Sequence, residues 1–261
     1  MIRLTALALA VVLLAIPPSG QSADSEKTRY PAATGYDQIE HSLAQARETA
    51  VEADKLLMVI MGADWCHDSR AFIDYLEDPG FAALIAERYV VERVNVGFYD
   101  HVRGVVDHWN VPIIYGTPTV LVIEPNSNTV LNRDSLSYWR SADSLGAAKA
   151  VTYFDRFEPG PPPPVATPSS TLADALAEID AFERRQAERL YVAYADLGER
   201  MRALGDASPD ADFLERWDNV AAMRSSITAD LAALRKEARF QDETGADPIH
   251  LTYPSYDLYT D

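Results

Sequence analysis

Residues 55–62 read KLLMVIMG. After Lys55 this stretch is apolar throughout and has the length of a strand. A strand with no polar face must be covered on both sides, which in practice means helices above and below a sheet. The flanking sequence supplies them. Residues 37–54, DQIEHSLAQARETAVEAD, carry Ile39, Leu43, Ala46 and Ala50 at helical spacing. A second helix is expected to start around Cys66 and run through SRAFIDYLED to Pro79, and a short third helix covers 80–89. VVERVNVG (90–97) alternates and suits a strand, and DHVRGVVDHWN (100–110) is helical by pattern. TPTVLVIE (117–124), a turn at PNSN and TVLNR (129–133) predict a hairpin, and a last helix covers roughly 142–156. The fold class is therefore α/β: strands joined by helical crossovers form a mixed sheet with helices on both faces.

A proline-rich linker, EPGPPPPVATPSS (158–170), ends this domain at 36–157. Residues 171–239 are helical throughout. Thr171 with Asp174 resembles a capping box. Leu190, Tyr194, Leu197, Met201 and Leu204 form a heptad-like seam. GDASPD (205–210) breaks the helix, with Ser208 a natural N-cap and Pro209 at the first helical position of its successor. The second helix carries Phe213, Trp217, Val220, Ile227, Leu231 and Leu234. Two helices of about 30 residues, each roughly 45 Å long, should pack antiparallel as a hairpin. Two helices alone make a thin core, so the hairpin is expected to pack on the first domain or on another copy as a homo-oligomer. The tail, 240–261, is rich in Tyr, Pro and Asp and reads as irregular.

The first residues, MIRLTALALAVVLLAIPPSG, combine Arg3, a short apolar run from Leu4 to Ile16, and a break at Pro17 and Pro18. The run is too short to span a bilayer comfortably and has the form of a secretory signal, with cleavage expected after Ser22 or, as the alternative, after Ala23. This predicts export, to the periplasm in a bacterium, and no membrane attachment after cleavage. Residues 23–35 read as a flexible lead-in. The formal net charge of −17 argues against nucleic acid and anionic membrane surfaces as partners.

Cys66 is the one cysteine in the chain. It lies in DWCHDSRAF, at the junction of the buried strand and the following helix. A helix N-terminus presents unpaired N–H groups and the positive end of the dipole, which favour a thiolate. Ser69 is placed to donate a hydrogen bond to it, and His67, if protonated, would help. Asp64 and Asp68 act in the opposite sense through like charge. With no second cysteine, Cys66 forms no internal disulfide. Ser69 is too weak a nucleophile to release a partner held in a mixed disulfide. The chemistry open to Cys66 is therefore monothiol exchange, with an outside thiol completing each cycle. His101 and His108, seven apart, share a helix face; no metal site is expected there, because too few ligands converge. No cofactor motif is present.

Strand–Trp65-Cys66-x-x–helix, with Gly116-Thr117-Pro118-Thr119 opening a later strand, resembles the thioredoxin family, and the element order fits that fold. The resemblance covers about 36–157 and implies a cis Thr117–Pro118 peptide lying against the cysteine. It also implies a peptide-binding edge at Thr117 and Pro118 beside Trp65, and protein or peptide thiols and disulfides, or glutathione, as partners. Family members that reduce disulfides often carry a buried acid six residues before the cysteine; Ile60 stands there. Two roles remain open on the sequence. One is an exported monothiol oxidoreductase or isomerase acting through Cys66, Ser69 and His67. The other is a non-catalytic binding or scaffold module assembled through its helices.

Overall fold

The computed structural model describes residues 27–100, 103–161, 167–205 and 207–260. The expected signal segment, His101 and the middle of the proline-rich linker lie outside the described residues. Four strands form one mixed sheet in the order β2-β1-β3-β4. β1 (Leu56–Gly62) runs parallel to β2 (Tyr89–Asn95) and antiparallel to β3 (Thr119–Glu124), which pairs with the two-residue β4 (Thr129–Val130).

The apolar run behaves as its composition demands. All seven residues of β1 are buried. Alternation then divides them between two cores. Leu57, Val59 and Met61 join Leu121 and Ile123 on one face; Leu56, Met58 and Ile60 join Val120 and Val122 on the other. The second face is covered by α2 (His67–Tyr75), α3 (Pro79–Arg88) and α4 (Ala147–Phe154). Its centre is aromatic: Trp139 is fully buried, edge-on to Phe72 at 5.2 Å and stacked on Phe154 at 5.3 Å. The first face is covered by α1 (Tyr36–Glu52), through Ile39, Leu43, Ala46 and Ala50.

The same first face receives the long helices α5 (Ser170–Leu204) and α6 (Ala211–Glu243). Leu190, Tyr194 and Leu197 of the predicted seam, with Val220 and Met223, enter one core with Ile113, Ile114 and Leu121. The seam is thus occupied by the protein's own α/β part. The far ends of the two helices pair with each other through Ile179, Phe182, Ile227 and Leu231. Tyr194 donates from its hydroxyl to the Ile114 carbonyl at 3.1 Å, so the loop before β3 is tied to α5. No described helix is long and apolar enough to cross a membrane.

Several local expectations are corrected. Residues 100–110 form no α-helix in their described part: Gly104 and Asn110 adopt positive φ (88° and 52°), which a right-handed helix does not accept, and only a 3₁₀ turn remains at Asp107–Trp109. The helix expected over 142–156 is a 3₁₀ stretch, Tyr138–Ser144, followed by α4, divided at Gly146 with φ 84°. The second hairpin strand is short because a side chain takes over its pairing. Buried Asn132 accepts from Val122 N at 2.9 Å and donates to Val120 O at 2.7 Å. The capping residues are Ser169 and Asp210 rather than Thr171 and Ser208, accepting from Leu172 N and Phe213 N. The described lead-in is anchored, because it carries an aromatic ring the sheet can bury. Tyr30 is 2% exposed, Arg29 holds both Asp74 oxygens, and Asn95 donates to Pro31 O.

Candidate active site

Cys66 is the N-cap residue of α2, with extended backbone (φ −90°, ψ 119°). β1 delivers it: the strand ends at Gly62, and a turn closed by Cys66 N on Ala63 O brings the chain to the helix start. The cysteine is 9% exposed. Its Sγ donates to the carbonyl oxygen of Thr117 at 3.3 Å. The Thr117–Pro118 peptide is cis. Thr117 is itself fixed, its Oγ1 3.3 Å from the Tyr99 hydroxyl, while Thr119 Oγ1 donates to Gly116 O at 2.8 Å. Residues far apart in the chain, Trp65-Cys66 and Thr117-Pro118, are therefore brought together. Trp65 is oriented by its own indole N–H, which donates to Gly97 O at 2.8 Å, and it stacks on Phe98.

Ser69 does not take the place expected for it. Its side chain is fully buried and its Oγ has no hydrogen-bond partner. It makes no hydrogen bond to the thiol and packs with Tyr30 over Gly62: a Cβ built there would lie 2.3 Å from the Tyr30 hydroxyl and 2.6 Å from Ser69 Oγ. Only glycine leaves room for both. Burial pushes the Tyr30 hydroxyl far above its ordinary titration range, so a neutral phenol lies beneath the site.

His67 is exposed, and its imidazole lies beside two carboxylates. Its Nε2 lies 3.1 Å from Asp68 and 3.5 Å from Asp143. Asp68 is buried and accepts from Asp143 N at 3.1 Å. Burial, with the Asp143 carboxyl beside it, pushes Asp68 above the usual carboxylate range, which weakens the opposition to a thiolate that a charged Asp68 would exert. His67, Asp68 and Asp143 each bring one ligand-type atom to within 4.8 Å of one another, and their mutual contacts account for that closeness. His108 lies elsewhere, 2.6 Å from Glu40 of α1. Ile60 is fully buried in β1.

The site is roofed by α6. Trp217 meets Trp65 edge-on at 6.5 Å, and Arg224 Nη1 donates to the Tyr99 hydroxyl at 3.0 Å. A cavity of about 580 Å³ remains between the roof and the thiol, with Cys66, Thr117, Trp217, Arg140 and Arg224 among its walls. Sequence reasoning missed Arg140, Arg224, Trp217 and Tyr99. Trp217 reads only as a packing residue of its helix, an arginine such as Arg224 in a long polar helix reads as solvent-facing, and no local pattern marks Arg140 or Tyr99.

Residues 38–125 match the family described as thioredoxin-like. A disulphide isomerase from Xylella fastidiosa Temecula1 is similar at 24% identity and a TM-score of 0.40, over 48% of this chain and 92% of its own. No curated protein matches. On the family match and the strand–Cys66–helix arrangement together, the α/β part of this chain has a thioredoxin-like fold.

Proposed function

We propose that this protein carries out thiol–disulfide exchange through the single thiol of Cys66. The observation that carries the reading is the seating of Cys66 Sγ at a helix start, 3.3 Å from Thr117 O, on the floor of an open cavity. In the exchange the Cys66 thiolate attacks one sulfur of a disulfide, the S–S bond breaks, and the other half leaves as a thiolate. The buried Ser69 lacks the chemistry to release the captured half, because a hydroxyl is too weak an acid and nucleophile to attack the mixed disulfide. An outside thiol must attack the mixed disulfide, and each step breaks one S–S bond as it forms another. The apolar run Leu4–Ile16 supports export to an oxidising compartment as the setting, where such disulfides persist.

The roof formed by α6 favours a second reading, a binding module in which Trp65 and Trp217 hold a partner and the thiol is incidental. Trapping separates the two. Native protein is alkylated at rest and after exposure to disulfides, and adducts are resolved without reductant. The exchange reading expects long-lived Cys66 adducts that disappear in Cys66→Ala. Partners retained equally by Cys66→Ala, with no covalent adduct at any time, would favour the binding module and reject exchange.

A further inference from the structure

Arg140 and Arg224 both line the cavity over Cys66. The Arg140 stem lies across the backbone of Gly116, where a Cβ would meet its Cδ at 2.5 Å, and its Nη1 donates to Arg224 O at 3.4 Å. Arg224 reaches Tyr99 through Nη1, while its Nε is buried with no hydrogen-bond partner. Among the described residues neither guanidinium has a carboxylate partner. Burial, and then the Arg224 charge, push Arg140 below the ordinary arginine value, whereas for Arg224 burial is outweighed by Tyr99 and Tyr194, which hold it above that value. Two arginines without a carboxylate partner are unexpected in a chain of net charge −17. Buried or half-buried cations are ordinarily paired, and leaving them unpaired is costly. The one buried acid on the cavity wall, Asp68, is turned to His67 and to Asp143 N. The cavity, at about 580 Å³, has the volume of a small-molecule site.

We infer that this cavity binds a small carboxylate-bearing disulfide or thiol, its carboxylate neutralising Arg140 and Arg224 and its sulfur presented to Cys66. The inference rests on the exchange reading above for the fate of the sulfur, and on the arginine pair alone for binding. Cys66 takes one half of the disulfide and releases the other as a thiolate. A second thiol of the same class then attacks the adduct, regenerating Cys66 and one disulfide, so electrons balance without any other reductant. Trp65, Trp217 and Tyr99 provide the apolar walls around the ligand's carbon skeleton.

The test uses the full-length protein and three symmetrical disulfides: dithiodipropionate (anionic), hydroxyethyl disulfide (neutral) and cystamine (cationic). Adduct formation at Cys66 is timed by mass spectrometry, each rate normalised to that of a simple thiol under the same conditions. Charge-assisted contacts predict dithiodipropionate faster than the neutral disulfide by about tenfold or more, against the repulsion of the protein's net charge. Arg140→Gln should bring that ratio towards one, and Arg140→Lys should restore part of it. Equal rates, or cystamine fastest, would overturn the inference. Calorimetry on Cys66→Ala with dithiodipropionate measures binding without exchange and spares Arg224, whose replacement risks the fold. Saturable binding lost in Cys66→Ala/Arg140→Gln supports the inference even if no disulfide reacts, a result that would reject exchange alone. Exchange without charge preference and without such binding rejects the inference and leaves exchange standing.

Discussion

Gly198 lies inside α5, where intrinsic propensity alone would make Gly198→Ala stabilising by about 0.8–1.0 kcal/mol. The tertiary structure reverses the sign. A Cβ there would sit 2.7 Å from the backbone oxygen of Phe98 and 3.2 Å from its Cβ. The opposing atom is main chain and cannot rotate away, so α5 or the Gly97–Phe98 turn must retreat by roughly 0.5–1 Å to recover van der Waals separation. Overpacking of this kind costs about 1–3 kcal/mol, and after the propensity gain the net loss should lie between about 0 and 2 kcal/mol, about 1 at the centre of the range. For a chain of this size that lowers Tm by about 3 °C. The displacement also has a direction. Gly97 O accepts the Trp65 indole and the Phe98 ring stacks on Trp65, so moving this turn loosens the residue beside Cys66. Urea unfolding and the alkylation rate of native Cys66 are the two assays, the latter expected to rise several-fold because the thiol is now 9% exposed. A Gly198→Ala protein that is stabilised, with unchanged alkylation, would show that α5 does not rest on this turn and would refute the shared core.

Two further perturbations probe the site and its support. Ser69→Ala removes a buried hydroxyl that has no partner, so stability should hold or rise by up to about 1 kcal/mol, and the lifetime of a Cys66 mixed disulfide should not change; a lengthened lifetime would mean that Ser69 reaches the sulfur and helps it leave. Glu124, at the end of β3, is buried, which raises a carboxyl, but the hydroxyl and N–H of Ser127 and both Asn126 donors outweigh burial and lower it to about 2 from 4.5. A folded-state value below the unfolded one means the contribution is complete above pH 4.5 and is lost as pH falls towards about 2. Glu124→Gln should therefore be less stable than the parent by on the order of 2 kcal/mol at neutral pH, and the gap should close through that window. Chemical unfolding of both proteins at a series of pH values measures it, and a gap independent of pH would reject the assignment.

Periodicity carried most of what could be read from the chain. The KLLMVIMG run has no polar face, so burial on both sides follows from composition alone, and the spacing of Ile39, Leu43, Ala46 and Ala50 specifies one helical stripe without reference to any neighbour. The strand–Cys66–helix junction with Thr117-Pro118 downstream was legible for the same reason, since each piece is a short local pattern. Elements failed where a single residue's backbone or side chain decided the matter. Gly104 and Gly146 turn the chain out of helical space, and Asn132 replaces a strand's hydrogen bonds with its own.

The role of Ser69 shows the limit more sharply. Its position three residues after Cys66 is a sequence fact, but whether its hydroxyl faces the sulfur depends on Gly62 and Tyr30, which meet it only in three dimensions. Arg140 and Arg224 are separated by 84 residues and belong to different parts of the chain. Nothing within a helical turn of either distinguishes it from a solvated arginine. Local pattern determined that this chain would build a covered mixed sheet with one thiol at a helix start. Only tertiary packing decided that α6 would roof that thiol and place over it two arginines with no carboxylate partner among the described residues, because burial and charge pairing are properties of neighbours that the linear chain does not have.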